Sequence, residues 1–144
     1  MIFKDPDSGY GLYLDAALTV PLAGPLLCAQ RSDSSTPPIE HRLYVGSPQG
    51  ARVLKAASNP GADQIVAGVV DAASGSGHAA GEVKLALTQG GLAGALGGAS
   101  LNLGTAINSL AAGAISLWIQ VDDVTGVVGL STELSVQLNS TVAD

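Results

Sequence analysis

Cysteine, histidine, basic side chains and aromatic rings are all scarce in this chain of 144 residues, and each shortage narrows what it can be. Cys28 is the single cysteine, so no intrachain disulfide can form, which fits assembly in a reducing cytoplasm. Only 12% of residues are charged, where about 25% is usual for a soluble domain. So thin a cover of charge protects poorly against association, and it predicts a surface covered by copies of the chain or by another protein. Six Lys and Arg stand against twelve Asp and Glu, for a net charge of −6. The basic residues are scattered, which argues against nucleic acid as a partner, because displacing counterions from phosphates takes clustered Lys and Arg. Aromatic residues make up 3% of the chain, so the core has to be built from Val, Leu, Ile and Ala. No apolar run follows a basic start, so no secretory leader is expected. No charge occurs between residues 85 and 121, yet Gly90-Gly91, Gly97-Gly98, Asn102, Asn108 and Gly113 interrupt that stretch. A spanning helix needs about 20 mainly apolar residues in a row, so no membrane partner is expected. No heptad or amphipathic helical period is present.

What the chain does have is alternation. Ile115, Leu117, Ile119 and Val121 alternate with Ser116, Trp118, Gln120 and Asp122, the period of a strand with one face buried and one presented. This stretch holds the only Trp and predicts a central strand, ended by Asp122-Asp123 as a charged pair returning to water. The same rhythm starts at Ile39, with Leu43 and Val45 alternating with Arg42 and Tyr44. The stretch 52–56 reads as its returning partner across a turn at 46–50, a hairpin. Residues 58–63 form a compact turn. Residues 64–71 form a third strand, with Val66 and Val70 suggesting burial on both faces. Residues 73–81 are a small-residue loop. Val83, Leu85 and Leu87 face inward in the next strand, opposite Glu82, Lys84 and Ala86. Residues 89–100 form a Gly-rich crossover with at most a short helix, since each Gly costs about 1 kcal/mol relative to Ala in a helix. A further strand runs from Leu101 past Gly104 to Ile107. Residues 124–129 make a hairpin connection, Leu134, Val136 and Leu138 face inward in the last strand, and 139–144 are a tail. The sum is an all-β, antiparallel β-sandwich, jelly-roll or Ig-like, of about seven or eight strands. Pro21, Pro25 and the polar loop 30–38 divide the chain into an extended N-terminal arm and linker, 1–38, and the sandwich domain, 39–144.

The residue inventory predicts no catalytic, cofactor or metal site. His41 opens a strand and His78 lies in a Gly/Ser loop, and both read as solvent-exposed; no Gly-x-Ser-x-Gly elbow supplies a nucleophile. Asp5-x-Asp7-x-Gly9 lacks the later ligands of a calcium loop, and Asp122-Asp123 is more simply a strand end. Cys28 sits among Leu26, Leu27 and Ala29 with no His near it in sequence, as a packed thiol does. No Gly-rich loop with a Lys behind it points to a nucleotide. Trp118, on an otherwise polar strand face, can anchor an interface or stack on a sugar, or it can cover the sandwich edge within its own subunit. Trp118, Tyr44, Tyr13, Leu12 and Leu14 are the candidate interface residues.

Four stretches, His41-Arg42-Leu43-Tyr44-Val45-Gly46-Ser47, Asn59-Pro60-Gly61-Ala62-Asp63-Gln64-Ile65, Leu101-Asn102-Leu103-Gly104-Thr105 and Trp118-Ile119-Gln120-Val121-Asp122-Asp123, resemble those of small virion structural proteins of tailed bacteriophages. The resemblance runs from about residue 39 to the end of the sequence. It implies a β-rich, non-enzymatic protein assembled in the host cytoplasm and located in the virion. The leading expectation is a capsid decoration, or cement, protein that binds the major capsid protein and itself, with a trimer favoured. A tail or baseplate component and a host-surface carbohydrate-binding module are the alternatives.

Overall fold

Alternation decides which residues face inward, and the strands follow it. The computed structural model describes residues 9–126 and 128–144. Residues 1–8, with Asp5, Asp7 and the start of the expected arm, and Val127 of the expected hairpin connection lie outside the described residues. The described residues form ten strands: β1 (Gly11–Tyr13), β2 (Ile39–Gly46), β3 (Val53–Ala56), β4 (Ile65–Asp71), β5 (Val83–Ala86), β6 (Leu101–Gly104), β7 (Ile107–Asn108), β8 (Ile115–Val121), β9 (Leu134–Leu138) and β10 (Thr141–Ala143). Short 3-10 turns fill Ala80–Glu82, Gly90–Gly94 and Ala111–Gly113. Among the described residues no helix is long and apolar enough to cross a membrane.

The protein is all-β, with three antiparallel sheets ordered β1-β2-β8-β5, β10-β3-β7 and β6-β4-β9. They enclose one core, as in a β-sandwich. Leu43, Val45, Leu117 and Ile119 of the four-stranded sheet meet Leu54 and Ile107 of the second sheet and Ile65, Ala67, Val136 and Leu138 of the third. These are aliphatic side chains, as the shortage of rings requires. Each fully buried Leu, Ile or Val contributes about 1.5–3 kcal/mol relative to exposure. β8 lies between β2 and β5, the interior place its pattern predicts. Residues 58–63 form the expected compact turn, closed by the Ala62 and Asp63 amides on the Asn59 carbonyl and by Ser58 Oγ on the Asp63 carboxylate.

Connectivity departs from expectation at several points. β2 and β3 are not a hairpin: β2 pairs with β1 and β8, and β3 with β7 and β10. The turn after Gly46 therefore carries the chain from one sheet to another, over a fully buried Ser47. The strand expected from Leu101 to Ile107 breaks in the same way. At Gly104 the backbone takes φ +107°, a value L side chains disfavour, and β6 and β7 enter different sheets. The connection after β8 is likewise a crossing, since β9 pairs with β4. The expected tail is β10, paired with β3 from Thr141↔Ala56 to Ala143↔Leu54. β4 is buried on one face only, Val70 being 39% exposed. At β5 the inward residues are Val83 and Leu85, Leu87 is exposed, and Glu82 and Ala86 are buried instead of facing solvent.

The described part of the expected arm is fastened to the sandwich. β1 pairs with β2, and Tyr10 and Leu12 belong to the core. The Tyr10 hydroxyl donates to the Ile107 carbonyl at 2.8 Å and lies 3.0 Å from the Arg52 carbonyl, so this residue ties the first sheet to the second. Burial, the larger influence, raises the Tyr10 pKa above 10.0. The free edge of β1 is covered by the chain folding back on it: Leu22 N–H donates to the Leu12 carbonyl and Leu14 N–H to the Val20 carbonyl, both at 2.8 Å. Covering an edge in this way blocks edge-to-edge pairing.

Candidate functional site

Register builds an aromatic row on the outer face of the four-stranded sheet. Tyr13 is opposite Tyr44, Tyr44 is opposite Ser116, Arg42 is opposite Trp118, and Glu40 is opposite Gln120. Directly opposed residues share a face, so alternation puts all of these outside while Leu43, Val45, Leu117 and Ile119 go inside. The Arg42 guanidinium lies 4.8 Å from the Tyr44 ring centroid and 5.4 Å from that of Trp118, within cation–π range of both. Its Nε donates to Ser116 Oγ at 3.2 Å. Beside Trp118, the Glu40 carboxylate accepts from Gln120 Nε2 at 3.0 Å and from Gln89 Nε2 at 2.8 Å. The result is a row of half-buried rings with one exposed cation and one exposed, hydrogen-bonded carboxylate on the outer face of the sheet.

Three of the five candidate interface residues, Tyr13, Tyr44 and Trp118, therefore come together. Leu12 does not join them, because it is buried in the core: its neighbour Tyr13 faces out, so Leu12 faces in. Leu14 is half exposed, just beyond the end of β1 and outside the ring row. Arg42 was not among the candidates. Its alternation with Leu43 places it on the outer face, but its position against Trp118 follows only from the β2–β8 register.

The second assembly is at the end of the β5–β8 ladder, where the expectation for His78 does not hold. His78 is folded down, not solvent-exposed: its side chain is 15% exposed and that of Glu82 1%. His78 Nδ1 lies 2.8 Å from Glu82 Oε2, 3.7 Å from Asp123 Oδ1 and 3.4 Å from Thr125 Oγ1. The fold explains the meeting. Val83 pairs with Val121, and Asp122 N–H donates to the Glu82 carbonyl at 2.9 Å, so Glu82 and Asp122-Asp123 are neighbours across the ladder. The Ala80–Glu82 turn then sets His78 four residues from Glu82. The backbone N–H of His78 donates to Glu133 Oε1. Asp123 is buried instead of marking the return to water. Its burial acts to raise its pKa, but hydrogen bonds from Gly126 N–H and Thr125 Oγ1 and N–H, with His78 beside it, outweigh that and hold the carboxyl below 3.8. Glu82 Oε1 is buried without a hydrogen-bond partner among the described residues.

The other histidine also has a neighbour that sequence distance hid. His41 Nε2 is 3.5 Å from Cys28 Sγ, so Cys28 does have a histidine beside it. Burial pushes the Cys28 thiol above 9.0, the opposite of the depression that activates a nucleophilic cysteine. A packed thiol remains the reading the chemistry favours. No family model, no curated protein and no solved structure matches this chain.

Proposed function

We propose that this protein is a virion structural protein of a tailed bacteriophage, a capsid decoration protein that attaches to the major capsid protein and to copies of itself through the outer face of its four-stranded sheet. The observation that carries the reading is the Tyr13–Tyr44–Arg42–Trp118 strip. Tyr, Trp and Arg are the residue types that dominate binding energy at protein interfaces, and a sheet presents them with little further ordering cost. The low charge and the exposed Leu27, Leu96 and Leu130 support a chain whose surface is shared with other molecules. The resemblance of the four stretches supplies the phage setting. On a symmetric shell, modest contacts repeated many times add up to a strong clamp. The test is to add purified protein to empty mature heads. Binding, a raised melting temperature of the heads, and at least tenfold weaker binding by Trp118→Ala are expected. Protein that ignores heads but assembles into three- or six-fold rings points to the tail or baseplate instead.

One observation favours a second reading. The Gln120–Glu40–Gln89 group beside Trp118 places amide and carboxylate hydrogen-bonding groups next to a ring, as carbohydrate-binding sites do. Glycan-array binding that Trp118→Ala abolishes would move the function to the host surface.

A further inference from the structure

The end of the β5–β8 ladder carries chemistry that a purely adhesive sandwich does not use. We propose that His78, Glu82 and Asp123 bind one divalent transition-metal cation of the zinc class, which pins the 77–82 loop to the crossing after β8. One ligand atom from each of the three residues lies within 4.8 Å of the others. Ligands held at about 2.0–2.2 Å on a tetrahedral zinc are about 3.3–3.6 Å apart. His78 Nδ1 lies 2.8 Å from Glu82 Oε2 and 3.7 Å from Asp123 Oδ1, which sets both carboxylates at about that spacing from the imidazole.

A second observation comes from the other oxygen of the Glu82 carboxylate. Glu82 Oε1 has no donor among the described residues, although its side chain is 1% exposed. A buried carboxylate oxygen left unpaired is costly. A proton on His78 Nδ1 reaches Glu82 Oε2 and Thr125 Oγ1 but not the second carboxylate, because Asp123 Oδ1 at 3.7 Å is beyond hydrogen-bond reach. A dication balances both carboxylates with the imidazole neutral. The donor set selects the metal class. One imidazole nitrogen and two carboxylates suit zinc or its transition-metal neighbours, whereas calcium needs six or more oxygens. The supporting contacts are those that orient metal ligands: Glu133 holds the His78 backbone, and Thr125 and Gly126 give three hydrogen bonds to Asp123 Oδ1, so Asp123 offers Oδ2 to the metal. With three protein ligands and a partly exposed His78, the fourth position is left to water.

The test uses the full chain stripped with a chelator and titrated with zinc chloride, followed by calorimetry and thermal melts. Expected are one cation per chain, micromolar or tighter affinity, and a melting temperature raised by about 8 °C at a hundredfold excess over Kd. Glu82→Gln, Asp123→Asn and His78→Ala should each weaken binding at least tenfold, while His41→Ala leaves it unchanged. Calcium should bind at least a hundredfold more weakly than zinc. If the variants fail to fold, a cobalt titration of the unaltered chain decides, with intense visible bands of tetrahedral coordination expected. Four results overturn the proposal: no saturable zinc binding up to millimolar concentration, Glu82→Gln binding as the parent does, loss of binding in His41→Ala in place of His78→Ala, or no tetrahedral cobalt spectrum.

Discussion

A few polar side chains fasten segments that the aliphatic core alone would leave loose. Tyr10 spans two sheets with one hydroxyl, hydrogen-bonded to the Ile107 carbonyl. Removing a buried donor costs about 1–2 kcal/mol, so Tyr10→Phe should lower the melting temperature by about 3–6 °C, measured by circular dichroism, with no change of fold. Asp15 fastens the loop that covers β1. Its carboxylate accepts from Thr19 N–H and Oγ1 and from Val20 N–H, and these donors, Val20 first, hold it below 3.8. Asp123 is also held below 3.8. A carboxylate depressed in the folded state binds its proton less readily there than in the unfolded chain. The stability it contributes is present above the unfolded value near 3.8 and is lost as the pH falls through the folded one. Denaturant midpoints should therefore drop on acidification below about pH 4. Asp15→Asn and Asp123→Asn should each flatten that fall and lower the midpoint at neutral pH.

Among the elements, β10 shows how much a short strand can matter. It covers the edge of β3, and Val53 and Asp144 exchange backbone hydrogen bonds at 3.1 and 3.2 Å. The Lys55–Asp144 ion pair at 2.7 Å is exposed and is worth only about 0–1 kcal/mol. Deleting residues 141–144 should lower the melting temperature and cause concentration-dependent association through the bared β3 edge, seen by sedimentation velocity. Three residues are too few to show a period, which is why β10 reads as a tail in the sequence. Longer strands were legible: β2, β8 and β9 each have one face on the core, so apolar and polar residues must alternate. Alternation names the face of a strand and not its neighbour. The supposed β2–β3 hairpin failed for that reason, since the five residues 46–50 carry no two-residue turn signal that fixes a partner. The site was legible to the same depth. Tyr44 and Trp118 could be placed on outer faces, but their meeting over Arg42 needs the β2–β8 register. The His78–Glu82–Asp123 group needs the β5–β8 pairing, and Glu82 sits where the β5 alternation puts a solvent-facing residue.

For the molecule as a whole, the single Trp on the outer face is a built-in reporter. If that face is the one that binds, Trp118 leaves water on association. Its fluorescence should shift to the blue when the protein meets its partner or its own copies, and Arg42→Ala should reduce both the shift and the affinity. The sheet order has a consequence for synthesis on the ribosome. β1 and β2 are the only sequence-adjacent strands that pair among the described residues; every other ladder joins strands distant along the chain. The four-stranded sheet waits for β8, and the other two wait for β9 and β10, which follow β8 along the chain. Eight strands must therefore leave the ribosome before the first of the sheets can close. Refolding that depends on such distant pairings runs in milliseconds to seconds, and for that interval its aliphatic strands are open to capture by chaperones.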